Sequence, residues 1–170
     1  MKLKIDDIHA FIFDFDGVLT NNKVFTDSSG NESVLCSRSD GLGFNALKIL
    51  GVPSFIVSSE KNKVVSMRAK KLAVPTYQGI KNKKKLVMKL IQENDFDLNQ
   101  IFYVGNDIND YHSMVSCGIS ACPNDSNTLI KKISKYNLKS CGGEGVVREI
   151  LEEIFNLNLL EILYSREAEE

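Results

Sequence analysis

Short apolar runs punctuate this sequence of 170 residues, and amphipathic stretches lie between them. Each run ends in small or polar residues, which is typical of strands buried in a parallel sheet. The runs span residues 9–15, 53–59, 100–106 and 117–123, with a weaker one at 74–77. The amphipathic stretches, in which apolar residues recur at helical spacing, span residues 41–50, 60–72 and 82–94. This alternation predicts an α/β fold with an open, mostly parallel sheet.

Two segments depart from the alternation. Residues 21–37 contain two β-like pieces around the sequence DSSGN, which predicts a β-hairpin inserted after the first strand. Residues 152–163 are apolar for the end of a chain, so we expect them to pack on the body or on a neighbouring subunit. The length fits one domain, which we assign to residues 1–160, followed by a C-terminal tail at 161–170.

Composition argues against several classes of protein. The net charge of −1 argues against a nucleic-acid binder, which usually carries a surplus of basic residues. The four cysteines form no CxxC pair and only two histidines are present, so we expect no zinc site and interpret the cysteines as reduced thiols of a cytoplasmic protein. No apolar run approaches the length of about 20 residues that a membrane span needs. Acids precede the first apolar run, which is unlike a signal peptide.

Two carboxylates, Asp14 and Asp16, follow the first predicted strand. Ligands of open α/β sheets bind beyond the carboxyl ends of the strands, and residues two apart on a strand point to the same side. Two carboxylates held together repel each other unless a cation compensates them, and Mg²⁺ prefers such oxygen ligands. The pair therefore indicates a magnesium site, and the alternative is a solvated turn.

Polar residues also follow the other predicted strands. Ser58 comes after the second run, and the third run is followed by Asn106, Asp107 and Asp110. Lys83 lies near the start of a predicted helix. Taken alone, Ser58 is more typical of a helix N-cap, and Lys83 of a solvated lysine among its lysine neighbours. Together, these residues predict one polar site at the end of the sheet.

The combination resembles the four signatures of the haloacid dehalogenase superfamily of phosphotransferases. The matching pieces are DFDGVLT (14–20), Ser58, Lys83 and GNDIND (105–110), and the resemblance covers roughly residues 8–155. It implies a three-layer Rossmann-like fold. DFDGVLT and GGEGVVREI (142–150) are similar to the branch of small phosphatases that act on 3-deoxy-octulosonate 8-phosphate or on nonulosonate 9-phosphates. The chain has no room for the cap domain of larger members.

The resemblance implies a role for each signature residue. Asp14 would attack phosphorus and form an aspartyl-phosphate. Asp16 would protonate the leaving sugar oxygen and then deprotonate the attacking water. Ser58 would donate a hydrogen bond to a phosphoryl oxygen, and Lys83 would offset the negative charge of nucleophile and phosphate. Mg²⁺ would bridge the nucleophile and the phosphate.

The implied metal ligands include one departure from the superfamily pattern. Most members have an aspartate directly after the glycine of the fourth signature, whereas this chain has Asn106. The ligands are expected to be Asp14, Asp16 through its backbone carbonyl, and Asn106 or Asp107. We favour Asn106 as the direct ligand, with Asp107 and Asp110 as close support.

The segment from residue 58 to 72 discriminates between the two phosphatase types. Glu60, Arg68 and Lys71 resemble residues of the nonulosonate branch, in which cations suit the sugar carboxylate and an acid accepts bonds from hydroxyls. Ser59 and Asp40 complete the predicted substrate-binding set. The alternative for the two cations is a solvated basic helix face, because several lysines cluster there.

We therefore predict a Mg²⁺-dependent phosphatase of a nonulosonate 9-phosphate. Octulosonate 8-phosphate is the nearest rival, but the Arg-Asp-Gly sequence of those enzymes reads Ser39-Asp40-Gly41 here. A further rival is a noncatalytic partner of a cytidylyltransferase, since similar domains are fused to such enzymes.

A site without a cap domain is open to water, and similar phosphatases cover it by forming tetramers. We expect a homotetramer in which the hairpin at 21–37 joins subunits; the alternative is an exposed hairpin without a partner. Arg148 could reach a neighbour's site or pair with Glu144 or Glu152 in its own chain.

Overall fold

The structure, a computed structural model, describes residues 3–165. A six-stranded parallel sheet lies at its centre. The strands of the chain are β1 (Ala10–Phe13), β2 (Thr20–Thr26), β3 (Glu32–Cys36), β4 (Ser54–Val57), β5 (Thr76–Tyr77), β6 (Ile101–Val104), β7 (Ile119–Cys122) and β8 (Tyr136–Asn137). The sheet order is β5-β4-β1-β6-β7-β8, and every neighbouring pair is parallel. The five strands predicted from apolar runs are confirmed. The sixth, β8, was not predicted because its two residues, Tyr136 and Asn137, lie in no apolar run.

Seven α-helices flank the strands in the described part of the chain. They are α1 (Ser39–Ile49), α2 (Lys63–Leu72), α3 (Lys83–Glu93), α4 (Tyr111–Met114), α5 (Thr128–Ile133), α6 (Val146–Glu149) and α7 (Leu159–Tyr164), and a π-helical turn at Ile150–Ile154 continues α6. The three helices predicted from periodicity are α1, α2 and α3. The helix α2 begins three residues later than predicted, because the side chain of Asn62 accepts a hydrogen bond from the backbone N–H of Val64 and caps it there.

Apolar side chains fill the space on both faces of the sheet. Phe11 and Phe13 of β1 face the layer that contains α1, α6 and α7, where Phe44, Val147 and Leu159 pack against them. Alternate residues of the same strand, such as Ile12, face the layer of α3, α4 and α5. The residues of β1 are buried on both faces, as expected for a central parallel strand. These two layers around one sheet confirm the α/β, three-layer architecture.

The segment after β1 forms the predicted hairpin. Strands β2 and β3 pair antiparallel in a separate two-stranded sheet. The side chain of Asp27 closes the turn by accepting hydrogen bonds from the backbone N–H groups of Ser29 and Asn31, at 2.8 and 2.9 Å. The hairpin leaves Phe25 and Leu35 largely exposed. The hairpin therefore forms a sheet of its own, with Val34 and Cys36 packed on the core and other apolar side chains turned outward.

The apolar segment near the C-terminus packs on the body of the same chain. Phe155 and Leu159 are buried in the α1 layer. The tail that the sequence assigned to residues 161–170 thus begins inside α7, and the rest of it from residue 166 lies outside the described residues. All four cysteines carry free thiols. Within residues 3–165, no helix has both the length and the apolar character that a membrane crossing requires.

Candidate active site

A polar pocket of about 400 Å³ opens beyond the carboxyl ends of β1, β4 and β6. Its position follows from the topology, because parallel strands end at one edge of the sheet. The lining residues come from the loops after these three strands and from the start of the hairpin: Asp14, Asp16, Asn22, Ser58, Ser59, Glu60, Asn106, Asp107, Ile108 and Asn109. The structure therefore brings together four of the signature residues, Asp14, Asp16, Ser58 and Asn106.

Backbone contacts fix the loops that carry these residues. The N–H of Asp14 donates to the carbonyl of Val104 at 2.9 Å, so the pairing of β1 with β6 extends to the first acid. Gly17 has φ +77°, and a Cβ atom at this position would overlap the side-chain amide of Asn106. Only glycine allows this turn at this distance, which explains the glycine that follows the two acids.

A buried lysine lies beneath the pocket between two carboxylates. Lys83 Nζ is 2.8 Å from Asp14 Oδ1 and 2.8 Å from Asp110 Oδ1. Burial lowers the pKa of Lys83, but the two carboxylates outweigh it and raise the pKa above its ordinary value. Lys83 therefore stays charged, and the solvated alternative considered for it is wrong because the side chain is 3% exposed.

Asp14 occupies the centre of the pocket floor. Its Oδ1 accepts hydrogen bonds from Lys83 and from the backbone N–H of Phe15, the latter at 2.7 Å. Burial raises the pKa of Asp14 well above its ordinary value, the charge of Asp110 acts in the same direction, and Lys83 opposes both. Two carboxylates around one ammonium leave one excess negative charge in a buried place. Such a site favours an additional cation.

Asp16 lies at the side of the pocket and is only partly buried. Burial raises its pKa, the negative charge of Glu60 raises it further, and Lys83 and a hydrogen bond with Thr20 lower it. A carboxyl group can donate a proton when protonated and accept one when ionised, which are the two roles of a general acid and base. The hydroxyl of Thr20 also accepts hydrogen bonds from the N–H groups of Gly17 and Asn22, at 3.2 Å each, and so holds the loop around Asp16.

Ser58 is buried at the end of β4. Its Oγ accepts a hydrogen bond from the N–H of Glu60 at 3.0 Å, which shapes the loop before α2. The cap of α2 is Asn62, so the alternative reading of Ser58 as a helix N-cap is wrong. The hydroxyl hydrogen of Ser58 remains available to an acceptor in the pocket.

The pocket residues fit a Mg²⁺ ion. Asp14, Asp16, Asn106 and Asp107 supply carboxylate, amide and carbonyl oxygens around one cavity, which is the donor set that Mg²⁺ prefers. No cluster of three or more His, Cys, Asp or Glu residues suited to a metal occurs in residues 3–165, so the fit depends on the amide of Asn106 or on backbone oxygen. Asp107 Oδ1 already accepts the N–H of Ile108 at 2.8 Å, which favours Asn106 as the ligand.

Three of the predicted substrate-binding residues lie outside the pocket of this chain. Arg68 donates from Nη2 to the carbonyl of Ser37 at 2.7 Å, and Lys71 is exposed on α2. Asp40 is buried at the start of α1, where its Oδ1 accepts the N–H of Val147 at 2.8 Å. This contact joins α1 to α6. Val147 lies in the first turn of α6, where a side-chain oxygen can accept a hydrogen bond from a backbone N–H. Glu60 and Ser59 do line the pocket.

The structure also brings in residues that the sequence did not single out. Asn22 lines the pocket with a left-handed backbone, φ 58°, at the start of the hairpin. Asn109 Nδ2 is 3.4 Å from Ser59 Oγ, so the loops after β4 and β6 meet at the rim. The only hint of these two residues in the sequence was the repetition of Asn, in NN (21–22) and in GNDIND (105–110). Arg148 pairs with Glu152 at 3.0 Å, so its partner within this chain is Glu152 and not Glu144.

No family model matches the chain, whereas solved structures and curated proteins do. A solved structure from Streptomyces avermitilis, assigned to the HAD family of hydrolases, has 33% sequence identity and a TM-score of 0.89, over 94% of this chain and 98% of that one. The 3-deoxy-D-manno-octulosonate 8-phosphate phosphatase of Moraxella catarrhalis, crystallised with magnesium, phosphate and KDO, has 27% identity and a TM-score of 0.83, over 95% of this chain and 91% of that one.

A longer relative matches over part of its length. N-acylneuraminate cytidylyltransferase A of Danio rerio is 27% identical over 158 residues, which cover 92% of this chain but only 37% of that protein. The match to the Streptomyces structure, by contrast, extends over both chains almost completely. With its four signature regions at one edge of the sheet, the chain belongs to the haloacid dehalogenase (HAD) superfamily and is a phosphoric monoester hydrolase.

Proposed function

We propose that this chain is a Mg²⁺-dependent phosphatase of a nine-carbon sugar acid, a nonulosonate 9-phosphate, and that it acts through an aspartyl-phosphate. The observation that carries the proposal is the pairing of Asp14 with buried Lys83, beside Asp16 and Glu60 in one polar pocket. A cytoplasmic location, expected from the reduced cysteines, is part of the same proposal.

In the first step, an oxygen of Asp14 attacks phosphorus and the bond from phosphorus to the sugar oxygen breaks. Oδ1 is held by Lys83 and Phe15, so Oδ2 is the oxygen that remains for attack. Asp16 gives its proton to the leaving sugar oxygen. Ser58 donates a hydrogen bond to a phosphoryl oxygen.

In the second step, water attacks phosphorus of the aspartyl-phosphate. Asp16, now ionised, takes the proton of that water, and the bond from phosphorus to Asp14 breaks to release inorganic phosphate. Lys83 keeps its charge through both steps, because two carboxylates hold it. When bound at Asp14, Asp16 and Asn106, Mg²⁺ supplies positive charge that reduces repulsion between the nucleophile and the phosphate.

Glu60 supports the choice of a nonulosonate. It lines the pocket at the rim, where it can accept hydrogen bonds from sugar hydroxyls or an amide. Arg68 and Lys71 lie outside the pocket of their own chain, so their proposed contact with the sugar carboxylate requires a neighbouring subunit. The exposed apolar residues of the hairpin, which include Phe25 and Leu35, are consistent with a homotetramer in which neighbours cover the pockets.

Octulosonate 8-phosphate is the second candidate substrate. The Moraxella enzyme is named for this activity and covers nearly the whole chain, which supports the eight-carbon ester as much as the nine-carbon one. The two sugar acids share the carboxylate and the phosphate, so the pocket floor suits both. The rim residues Glu60 and Ser59 would decide between them.

Association with a cytidylyltransferase is a further part of the proposal. The Danio cytidylyltransferase matches this chain over 37% of its own length, so a similar domain occurs there within a longer protein. A purely noncatalytic role would not require the buried ion pairs of Lys83, because buried charges are costly to hold.

The test is a phosphate-release screen over a panel of sugar phosphates, with Mg²⁺ and with a chelator. We expect magnesium-dependent turnover of nonulosonate 9-phosphates, at a kcat/KM above that for octulosonate 8-phosphate. Asp14→Asn should lower turnover on the order of 10⁴-fold, because no nucleophile replaces it. A preference for the eight-carbon ester would refute the choice of substrate, and a stable complex with a cytidylyltransferase without any turnover would favour the noncatalytic role.

A further inference from the structure

Asp110 receives more hydrogen bonds than any neighbouring group of the pocket floor. Its Oδ1 accepts from Lys83 Nζ and from the hydroxyl of Tyr103, both at 2.8 Å. Its Oδ2 accepts from the backbone N–H groups of Asn106 at 3.0 Å and Asp107 at 3.4 Å. Asp110 is fully buried, so these four donors replace the water that an ionised carboxylate would otherwise need.

Tyr103 is the only one of these donors that comes from the interior of a strand. It lies on β6, is fully buried, and faces the α3 and α4 layer among Ile12, Leu90 and Met114. Burial raises the pKa of Tyr103 well above its ordinary value, and the charges of Asp110 and Asp14 raise it further. The hydroxyl therefore keeps its proton and donates a hydrogen bond to Asp110, whose carboxylate oxygen accepts it.

We propose that Tyr103 is a positioning residue, whose hydroxyl holds the Asp110 carboxylate so that Lys83 stays directed at Asp14. The inference rests on the proposed phosphatase function. Asp110 and Asp14 compete for one ammonium group, and each is 2.8 Å from it. Tyr103 and Lys83 donate to the same oxygen of Asp110, so the hydroxyl takes up part of the negative charge that would otherwise act on the ammonium alone.

The surroundings restrain Asp110 from the opposite side as well. A Cβ atom at Gly105 would lie 2.6 Å from Asp110 Cβ and Cγ, so the side chain packs directly on that backbone. Gly105 and the two backbone N–H groups on Oδ2 hold the carboxylate from this side. Without the Tyr103 hydroxyl, Oδ1 loses one of its two donors and keeps Lys83 as the other. Asp110 would then attract the ammonium more strongly and draw it from Asp14, which would weaken stabilisation of the phosphoryl group during transfer.

Tyr103→Phe tests the inference, because it removes the hydroxyl and keeps the ring. We expect kcat of the magnesium-loaded enzyme to fall about tenfold with KM unchanged, which is the effect of one hydrogen bond to a charged group. Beryllofluoride, which binds an aspartate as a phosphoryl mimic, should bind about tenfold more weakly by calorimetry in excess Mg²⁺. Tyr136→Phe is the matched control: this half-buried tyrosine on β8 stacks on Phe102, and its change should alter neither quantity.

The outcomes separate this inference from the proposed function. If the wild type neither hydrolyses a sugar phosphate nor binds beryllofluoride, the proposed function fails. If the wild type does both and Tyr103→Phe has the same kcat and the same affinity for beryllofluoride, only the role of Tyr103 is overturned. A variant in which KM rises while kcat stays constant would overturn that role as well. Should Tyr103→Phe fail to fold, a fluorotyrosine introduced at position 103 decides the question. This residue keeps a hydroxyl of greater donor strength, so Asp110 should compete less for Lys83 and kcat should rise above the wild-type value. An equal or lower kcat in the folded protein would contradict the inference.

Discussion

The floor and the rim of the pocket are built on different principles. The floor, formed by Asp14, Lys83 and Asp110, is buried and joined by two ion pairs of 2.8 Å. The rim, formed by Asn22, Ser59, Glu60, Ile108 and Asn109, is exposed, and its main cross-contact is a 3.4 Å approach between Asn109 and Ser59. The groups proposed to act on phosphorus are thus fixed within one chain, whereas those proposed to contact the sugar are not.

This difference has a physical reason. Phosphoryl transfer depends on charges that are already in position, and a buried network holds them with little reorganisation. Recognition of a sugar needs an opening through which the substrate enters, so its residues remain in contact with water. The side chains proposed to bind the sugar carboxylate, Arg68 and Lys71, lie outside the pocket altogether. We therefore expect the floor to be sensitive to single substitutions and the rim to depend on association between chains.

The largest effect is expected at the floor, with Lys83→Met. Methionine has a similar length but no charge, so Asp14 and Asp110 would face each other without compensation. We expect the free energy of unfolding to fall by about 3–5 kcal/mol, since one partner of a buried ion pair is removed. Chemical denaturation measures this, and phosphate release should fall at least about 100-fold, because the charge that stabilises transfer is lost.

Lys84→Met is the matched control for this substitution. Lys84 is the next residue of α3 but is exposed. Its replacement should change the free energy of unfolding by less than about 0.5 kcal/mol, as surface substitutions usually do. Equal stabilities of the two variants would mean that the floor is not held by its ion pairs, and the contrast between floor and rim would be lost.

Asp40 offers an intermediate effect, away from both regions. Burial raises the pKa of Asp40 to about 6, although the Val147 N–H and Arg68 oppose it. The folded chain therefore binds a proton more tightly than the unfolded chain, and the free energy of unfolding should fall as pH rises from about 4 to about 6. The expected loss is roughly 2–3 kcal/mol over that window.

Asp40→Asn should remove the Asp40 contribution to this pH dependence while it keeps an oxygen for the Val147 N–H. Denaturation curves at several pH values measure the slope. Asp14 and Asp16, whose pKa values are also raised, leave a slope of the same sign, so the slope should decrease rather than vanish. Asp6→Asn, at an exposed position, is the control that should leave the slope intact. An unchanged slope in Asp40→Asn would assign the whole dependence to other groups. The kcat of Asp40→Asn should equal that of the wild type, because Asp40 lies outside the pocket.

The sequence predicted the fold and the floor more completely than the rim. Strands β1, β4, β6 and β7 are apolar runs, and the first three helices show helical periodicity over ten residues or more. Helices α4 and α6 have four residues each, which is too short for periodicity to identify. Strand β8 was missed because no apolar run marks it, whereas β5, equally short, lies in the run at 74–77.

The contacts at the site that the sequence did not predict were also missed because no local pattern marks them. Asp14, Asp16, Ser58 and Lys83 were identified because each follows a strand or begins a helix, positions that the topology brings together. The bond between Lys83 and Asp110 joins residues 27 positions apart, and nothing local in either segment indicates it. Asp40 was assigned to substrate binding from its loop, but its carboxylate turns inward to Val147, a contact between residues 107 positions apart.

The smallest effect is expected where the rim meets the hairpin. Phe25 and Leu35 are 70% and 73% exposed there, which is unusual for large apolar side chains and is consistent with a contact surface between copies of this chain. If that contact brings Arg68 and Lys71 of one copy to the pocket of another, Phe25→Ser should shift the sedimenting species from oligomer to monomer. KM for the sugar-acid phosphate should then rise about tenfold, which corresponds to one lost charged hydrogen bond, with kcat nearly unchanged.

Leu160→Ser is the matched control, because Leu160 is also 70% exposed but lies on α7, far along the chain from the hairpin. It should leave both the sedimentation and KM as in the wild type. A simple aryl phosphate, which lacks the sugar carboxylate, should show the same KM in all three proteins, since the floor of each chain is intact. If the wild type is a monomer with the same KM as Phe25→Ser, one chain contains the whole substrate site, and the difference between floor and rim reduces to one of burial.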